Sequence, residues 1–249
     1  MLFAHRGVSS LAPENTLASF KKVVELGIPG VELDVHLTKD GQLVVIHDES
    51  IKRTARMYTD KMSEPEQVAD IVVEKSNYSD LLKYDFGIWF SKEFRGEKIP
   101  LLTEVLDVLG PTIYVDVEIK IDTIHCCAVA KKTAETLHAY LEKYPESPNR
   151  FMVSSFNPLA IKSFAKFSNI PTALIYETKK TTPFIVKKGR GLLLCNPDVL
   201  KPCWDIVKGT EKKEVFVWTV DDSSMIPTLQ TKNVQGFCSN RPQDLIISL

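Results

Sequence analysis

The 249-residue sequence predicts an α/β fold, a TIM (β/α)₈ barrel with a small insertion after its second strand. Three observations predict it. From about residue 111 short β-rich runs alternate with helical stretches, the pattern of a parallel sheet covered by helices. Nine runs in all read as strands, one too many for the barrel, and an Asp-Gly pair at 40–41 makes one of the nine the return arm of a hairpin. Eight staves remain. With 44% hydrophobic residues and a formal net charge of −1, the composition is that of an ordinary globular chain, long enough for one large domain. The near-neutral balance argues against nucleic-acid binding, which needs a basic footprint.

In order, "LFAH" (2–5) is the first stave, followed by a helix from about Asn15 to Leu26. "GVELDVH" (30–36) is the second. The gap from it to "QLVVIH" (42–47) is too short for a crossover helix, so the latter run returns antiparallel. With the turn centred on 40–41, Asp34 lies opposite His47. Residues 48–100 break the rhythm, polar with apolar and aromatic islands, until "LLTEVLDVL" resumes a helix. They form an insertion subdomain in the second βα loop, rising over the C-terminal face of a single domain, 1–249. Next come "TIYVDVEIK" (112–120) and an amphipathic helix from Thr123 to about Tyr144. "RFMVSSF" (150–156) leads into a helix with Asn157 as N-cap and Pro158 at its first position. The remaining staves are "TALIYE" (172–177), "GLLLC" (191–195), "EVFVWTV" (214–220) and "VQGFCS" (234–239).

Five cysteines, Cys126, Cys127, Cys195, Cys203 and Cys238, show neither metal-ligand nor disulfide spacing, which suits a reducing compartment. The first stave starts at once, leaving no leader, and no run approaches a membrane span. The expectation is a cytoplasmic protein with no integral membrane segment.

Chemistry concentrates at the stave ends. Side chains alternate across a strand, so Glu32 and Asp34 share one face, and so do Asp116, Glu118 and Lys120. Two like charges about 4 Å apart repel by roughly 4 kcal/mol at an effective dielectric near 20, so a positive charge belongs between them. Glu32, Asp34 and Glu118 form an all-oxygen ligand set, suited to a hard divalent cation such as Mg²⁺ or Ca²⁺. Any one of these acids alone reads equally as a buried ion pair with Lys120 or Arg6. His5 closes the first stave, followed by Arg6, and His47 closes the hairpin arm. Two histidines converging on the acids form a general acid/base pair beside a metal. Arg6 offers a bidentate fork for phosphate and Lys120 a point charge, which describes phosphodiester cleavage better than carbonyl chemistry.

At this point the chain resembles the glycerophosphodiester phosphodiesterases. The likeness lies in "HRG" (5–7), "PENT" (13–16), "ELDVHLTKDGQLVVIHD" (32–48), "RT" (53–54), "FGIWFSKEFRGEKIPLLTEVL" (86–106), "VEIK" (117–120), "VWTV" (217–220) and "SNRP" (239–242), in the family's order across nearly the whole chain. The resemblance implies a TIM barrel with a capping insertion after the second strand, and metal-dependent hydrolysis of a small-molecule glycerophosphodiester to glycerol 3-phosphate and an alcohol. By position, Glu32, Asp34 and Glu118 would hold the metal, His5 and His47 would be acid and base, and Arg6 and Lys120 would steady phosphate charge. The glycerol 2-hydroxyl would attack phosphorus and water would then open the cyclic phosphate.

The chain departs from the family in three places. After "RT" it runs "ARMYTD" rather than through another Thr and a Gly-containing turn; its last strand ends in Ser239-Asn240 where Thr-Asp is frequent; and "VWTV" is followed by Asp221 where Asn is common.

Further candidates carry two readings each. Asn15, beside Glu14, is either a substrate-binding residue or the N-cap of the first helix. Trp218 shares a face with Phe216 and either lines the glycerol pocket or fills the core. Trp89, Phe90 and Phe94 make a small core or touch substrate, His36 is a spare ligand or structural, and His125 and His138 belong to the surface. The rival activities are a lysophospholipase D or cyclising phospholipase on the same barrel, and a non-catalytic phosphoester- or metal-binding protein. The oligomeric state is left open.

Overall fold

The computed structural model describes residues 1–57, 64–121, 124–145, 150–179 and 187–246. Its strands are β1 (Leu2–His5), β2 (Gly30–Leu37), β3 (Leu43–Val45), β4 (Arg56–Met57), β5 (Glu66–Gln67), β6 (Tyr114–Ile119), β7 (Phe151–Ser155), β8 (Thr172–Tyr176), β9 (Val199–Pro202), β10 (Glu214–Val217) and β11 (Gly236–Ser239). Eight of them run parallel in the order β1-β2-β6-β7-β8-β9-β10-β11, and β11 pairs back onto β1 to close a barrel. The helices are α1 (Leu17–Glu25), α2 (Tyr78–Leu81), α3 (Leu102–Leu109), α4 (Cys127–Lys143), α5 (Pro158–Phe164), α6 (Ile226–Thr231) and α7 (Pro242–Leu245).

Alternation along β2 separates two environments. Val31, Leu33 and Val35 join Phe20 and Val23 of α1 and Leu102, Val105 and Leu106 of α3 in the main apolar cluster. The intervening Glu32, Asp34 and His36 therefore face the barrel axis. At the barrel floor the rings of Phe3 and Phe216 meet at 5.5 Å, with Met152, Ala173 and Val199 packed against Phe216. Glycine is required opposite each ring: a Cβ at Gly30 would stand 2.8 Å from Phe3, and one at Gly236 would stand 2.4 Å from Phe216. The floor is thus sealed by aromatics, and the polar residues lie above it.

The hairpin forms as its Asp-Gly pair requires, with one difference in register. Val35 faces Val45 and Leu37 faces Leu43, so Asp34 lies opposite Ile46 and not His47. The turn spans five residues rather than four: Thr38 N–H bonds Gln42 O, and Thr38 Oγ1 donates to Asp40. Residues from the arm to Ile99 build a second apolar cluster of Val44, Ile46, Ile51, Ala55, Val68, Val73, Leu81, Phe86 and Ile99. Buried Asp85 organises its far edge by accepting from the N–H groups of Gly87, Ile88 and Gly96.

One stave is displaced. "GLLLC" is no strand: Lys187–Leu193 consists of 3₁₀ turns interrupted by a left-handed kink at Lys188 and Gly189, and Leu193 is 90% exposed. The sixth stave is β9, "VLKP", where a lysine and a proline mask strand character. Lys201 is tolerated there because its ammonium is neutralised inside the barrel by Asp116. Helix starts also shift. The cap of α1 is Thr16, whose hydroxyl accepts from Ser19 N–H, and α4 begins at Cys127, while residue 123 lies outside the described set, as do the last three residues of "ARMYTD". Asn157 and Pro158 cap and open α5 as expected. Among the described residues no helix is long and apolar enough to cross a membrane.

Candidate active site

The C-terminal ends of β1, β2 and β6 bring the acids together. Glu32 and Asp34 of β2 pair in register with Asp116 and Glu118 of β6, and His5 of β1 pairs with Glu32. One oxygen each from Glu32, Asp34 and Glu118 lies within 4.8 Å of the others, all three residues being buried. Burial and the charges of Asp34, Glu118 and Asp116 push the Glu32 carboxyl well above its usual range, with Lys201 opposing. Burial would raise Asp34 too, but Lys120, His47, Arg6 and a hydrogen bond from Asn15 hold it far below. Asp34 Oδ1 is buried without a hydrogen-bond partner, Lys120 Nζ standing 3.7 Å away. A crowded set of hard oxygens, one of them orphaned, fits a divalent oxygen-loving cation.

The cations surround this cluster. Lys120 Nζ donates to Glu118 Oε1 at 2.8 Å and lies 5.7 Å from the centre of the Phe156 ring. Burial works against its charge, but Glu118 and Asp34 raise its pKa above the ordinary lysine value. Arg6 sits at φ 57°, followed by Gly7 at 77°, a left-handed corner that swings its guanidinium back over the site. There Nε lies 3.5 Å from Asp34, Nη1 donates to Glu14 at 2.8 Å, and the backbone N–H reaches Glu32 Oε2 at 3.1 Å.

His47 and His5 are both bonded at Nδ1. His47 Nδ1 lies 2.6 Å from Asp48 Oδ1, and its Nε2 lies 3.1 Å from Lys120 Nζ. Because the lysine can only donate, that Nε2 accepts and the proton sits on Nδ1. His5 Nδ1 lies 2.6 Å from Asn240 Oδ1, and its Nε2 lies 3.9 Å from Glu32. Burial, reinforced by Arg6, brings the His5 pKa down to about 4, so the ring is neutral at pH 7. His36 takes the structural role: its Nε2 lies 3.2 Å from the His47 carbonyl, and it is not one of the clustered ligands.

Asn15 is at the site and is not the cap. Held at φ 55°, it donates from Nδ2 to Asp34 at 2.8 Å, and its buried Oδ1 has no hydrogen-bond partner. Trp218 stands edge-on to Phe156 at 5.4 Å and donates to the Lys201 carbonyl, forming a wall beside Lys120. Trp89 packs edge to face on Phe90, and Phe90 on Phe94, with Phe90 36% exposed. His138 lies on the surface against Ser168.

The pattern of single residues did not reveal the supporting groups. Arg53 forks onto both Glu14 and Asp48, tying the Arg6 anchor to the His47 anchor. Its "RT" motif marked the position without a partner. Lys201 bonds Asp116 and, at 3.2 Å, Ser154, below the acid cluster. The inward face of Asp116 was the signal that a counter-charge had to exist.

Fold and site together define a barrel phosphoesterase: three converging carboxylates, fixed cations and two imidazoles at one mouth. Comparison with known proteins specifies the family. A sequence profile of the Glycerophosphoryl diester phosphodiesterase family matches residues 5–244. The chain is 32% identical over 250 residues to a glycerophosphodiester phosphodiesterase of Caldanaerobacter subterraneus subsp. tengcongensis, covering 99% of this chain and 96% of the relative. It is 32% identical over 249 residues to one of Bacillus altitudinis, covering 97% and 94%. Among solved structures, a phosphodiesterase of Oleispira antarctica in complex with the product sn-glycerol-3-phosphate superposes with a TM-score of 0.80 at 25% identity, covering 100% of this chain and 96% of that one. The chain belongs to the glycerophosphodiester phosphodiesterase family, a family of hydrolases.

Proposed function

We propose that this enzyme hydrolyses glycerophosphodiesters to glycerol 3-phosphate and an alcohol, with His5 and His47 as the acid/base pair and Glu32, Asp34 and Glu118 as ligands of Mg²⁺ or Ca²⁺. The observation that carries the reading is the convergence of three buried carboxylates, one with an orphaned oxygen, between two imidazoles whose Nε2 atoms are unprotonated when neutral. The named product in the Oleispira relative supports the same outcome. A bound cation would supply Lewis-acid polarisation of the phosphate and hold the glycerol hydroxyl near phosphorus.

The chain's own groups do the rest. One imidazole takes the proton of the glycerol 2-hydroxyl as its oxygen bonds to phosphorus. The other, entering the step as an imidazolium, gives its Nε2 proton to the departing alcohol oxygen as that P–O bond breaks. Water then opens the cyclic phosphate by the same two groups in exchanged roles. Lys120 and Arg6 offset charge on the phosphate oxygens, Asn15 Oδ1 accepts from a glycerol hydroxyl, and Trp218 with Phe156 walls the glycerol side. A cytoplasmic setting belongs to the same proposal, supported by five free cysteines.

The test is release of glycerol 3-phosphate from glycerophosphocholine and glycerophosphoethanolamine, with and without EDTA, beside lysophosphatidylcholine. We expect activity on the water-soluble diesters that EDTA abolishes and Mg²⁺ or Ca²⁺ restores. Turnover indifferent to chelation ends the metal assignment. Wild-type rates in His5→Ala and His47→Ala end the acid/base assignment, and preference for the lysophospholipid moves the substrate class.

A further inference from the structure

We propose that Asp221 is a positioning residue for His5, acting through Asn240: it fixes the Asn240 amide so that His5 keeps its proton on Nδ1 and presents Nε2 to the reacting oxygen. The proposal rests on the reading of His5 as a proton-carrying group.

Asn240 follows β11 at the mouth of the barrel, and Asp221 lies in the loop after β10. An amide side chain can turn either its oxygen or its nitrogen toward a neighbour, and its shape does not decide which. Asp221 decides. Its Oδ2 accepts from Asn240 Nδ2 at 2.8 Å, its Oδ1 accepts from the Asn240 backbone N–H at 2.8 Å, and Ser239 Oγ donates to the same Oδ1 at 2.9 Å. A carboxylate only accepts, so the Asn240 NH₂ must face Asp221 and its oxygen must face His5. The Ser9 hydroxyl donates to that oxygen too, at 3.3 Å.

The amide oxygen also only accepts. Its 2.6 Å contact with His5 Nδ1 therefore requires the ring proton on Nδ1. Nε2, on the side of Glu32, is left with its lone pair toward the acid cluster. Asp221 never touches the ring, yet it selects the tautomer. His47 reaches the same tautomer by a different route, through direct contact with the Asp48 carboxylate. One imidazole is thus backed by a charge and the other by a neutral amide with the charge one residue further out.

The experiment compares wild type, Asp221→Asn, Asn240→Asp and the exchanged double variant D221N/N240D, each as the full chain in Mg²⁺. At Asp221→Asn the side chain can donate as well as accept, so the Asn240 amide loses its direction. We expect kcat to fall by about 10- to 100-fold, the size seen when a partner behind a working group is removed, with little change in KM. Asn240→Asp alone sets two carboxylates face to face and also loses activity. The double variant restores an acceptor against His5 Nδ1, held in place by the amide introduced at position 221, and recovers most of kcat.

The second readout is independent of turnover. Two-bond ¹H–¹⁵N correlation of ¹⁵N-histidine-labelled protein reports which ring nitrogen of His5 is protonated. We expect Nδ1 in wild type and the double variant, and Nε2 or a mixture in Asp221→Asn. A wild-type ring protonated on Nε2, or a double variant no faster than Asp221→Asn, overturns the relay. If Asp221→Asn does not fold, the wild-type spectrum still decides. His5→Ala at wild-type rate would instead remove the acid/base reading, and the catalytic half of this proposal with it, while the tautomer measurement separately tests the contact.

Discussion

Replacing Lys201 with methionine isolates the cost of the charge buried beneath the acid cluster. Its ammonium belongs to a residue 3% exposed and is bonded to Asp116 and Ser154. Burial works against its charge, but Asp116 and Glu32 keep it charged, with its pKa above the ordinary lysine value. Lys201→Met removes one partner and leaves Asp116, 2% exposed, with only the Ser154 hydroxyl at 2.7 Å. Breaking a buried pair from one side costs about 3–5 kcal/mol. In a chain of this length each kcal/mol moves the melting temperature by about 2–4 °C, so Tm should fall by roughly 6–20 °C. Differential scanning calorimetry reads it directly. Replacing the whole group, as Lys201→Met/Asp116→Leu/Ser154→Ala, should return most of the loss, because no polar atom is then stranded. A Lys201→Met melt within about 2 °C of wild type on the same scale, or a triple variant weaker than the single one, would refute the reasoning.

Four other outcomes are expected. Arg53→Met should lower kcat about tenfold by freeing both anchors, yet shift Tm little, since exposed ion pairs are worth about 0–1 kcal/mol; steady-state kinetics beside a melt separates the two. Gly87→Ala would place a Cβ 1.9 Å from the Phe94 carbonyl oxygen, and should cost at least about 3 kcal/mol by denaturant midpoint. Mg²⁺ or Ca²⁺ should raise the Tm of the wild type, and Asp34→Asn should abolish that rise. Burial pushes the thiols of Cys195 and Cys203 up to about 11, so at about pH 8, near the ordinary thiol pKa, a thiol reagent should label exposed Cys127 well ahead of them. The sign follows from the raised folded values: the contribution of both thiols to stability is whole below the unfolded thiol pKa near 9 and is lost between pH 9 and 11, so alkaline melts should weaken across that window.

What the sequence made legible follows from periodicity. Glu32, Asp34, Asp116 and Glu118 could be assigned to one interior because a strand repeats every two residues, and the Asp-Gly turn returned His47 toward them. Apolarity alone misled at Leu192–Leu194, which are solvent-facing, and hid β9, whose Lys201 reads as surface until Asp116 is known to lie opposite. The turn length was out of reach because the Thr38 hydroxyl closes it through a side-chain bond. Contacts between distant loops were out of reach altogether. Asp221 and Asn240 appeared as two separate departures from the family pattern, and only the fold shows that they touch.

The short arm β3 has one further consequence. Leu43 and Val45 belong to the main apolar cluster, whereas Val44 and Ile46 belong to the smaller one under the insertion. Successive side chains thus stitch two separate interiors, and the histidine hangs on the seam. An engineer who wishes to transplant a foreign cap to change the alcohol accepted cannot cut at residue 48. The graft must carry its own partners for Val44 and Ile46, or the chimera will keep its acid cluster and lose its second imidazole.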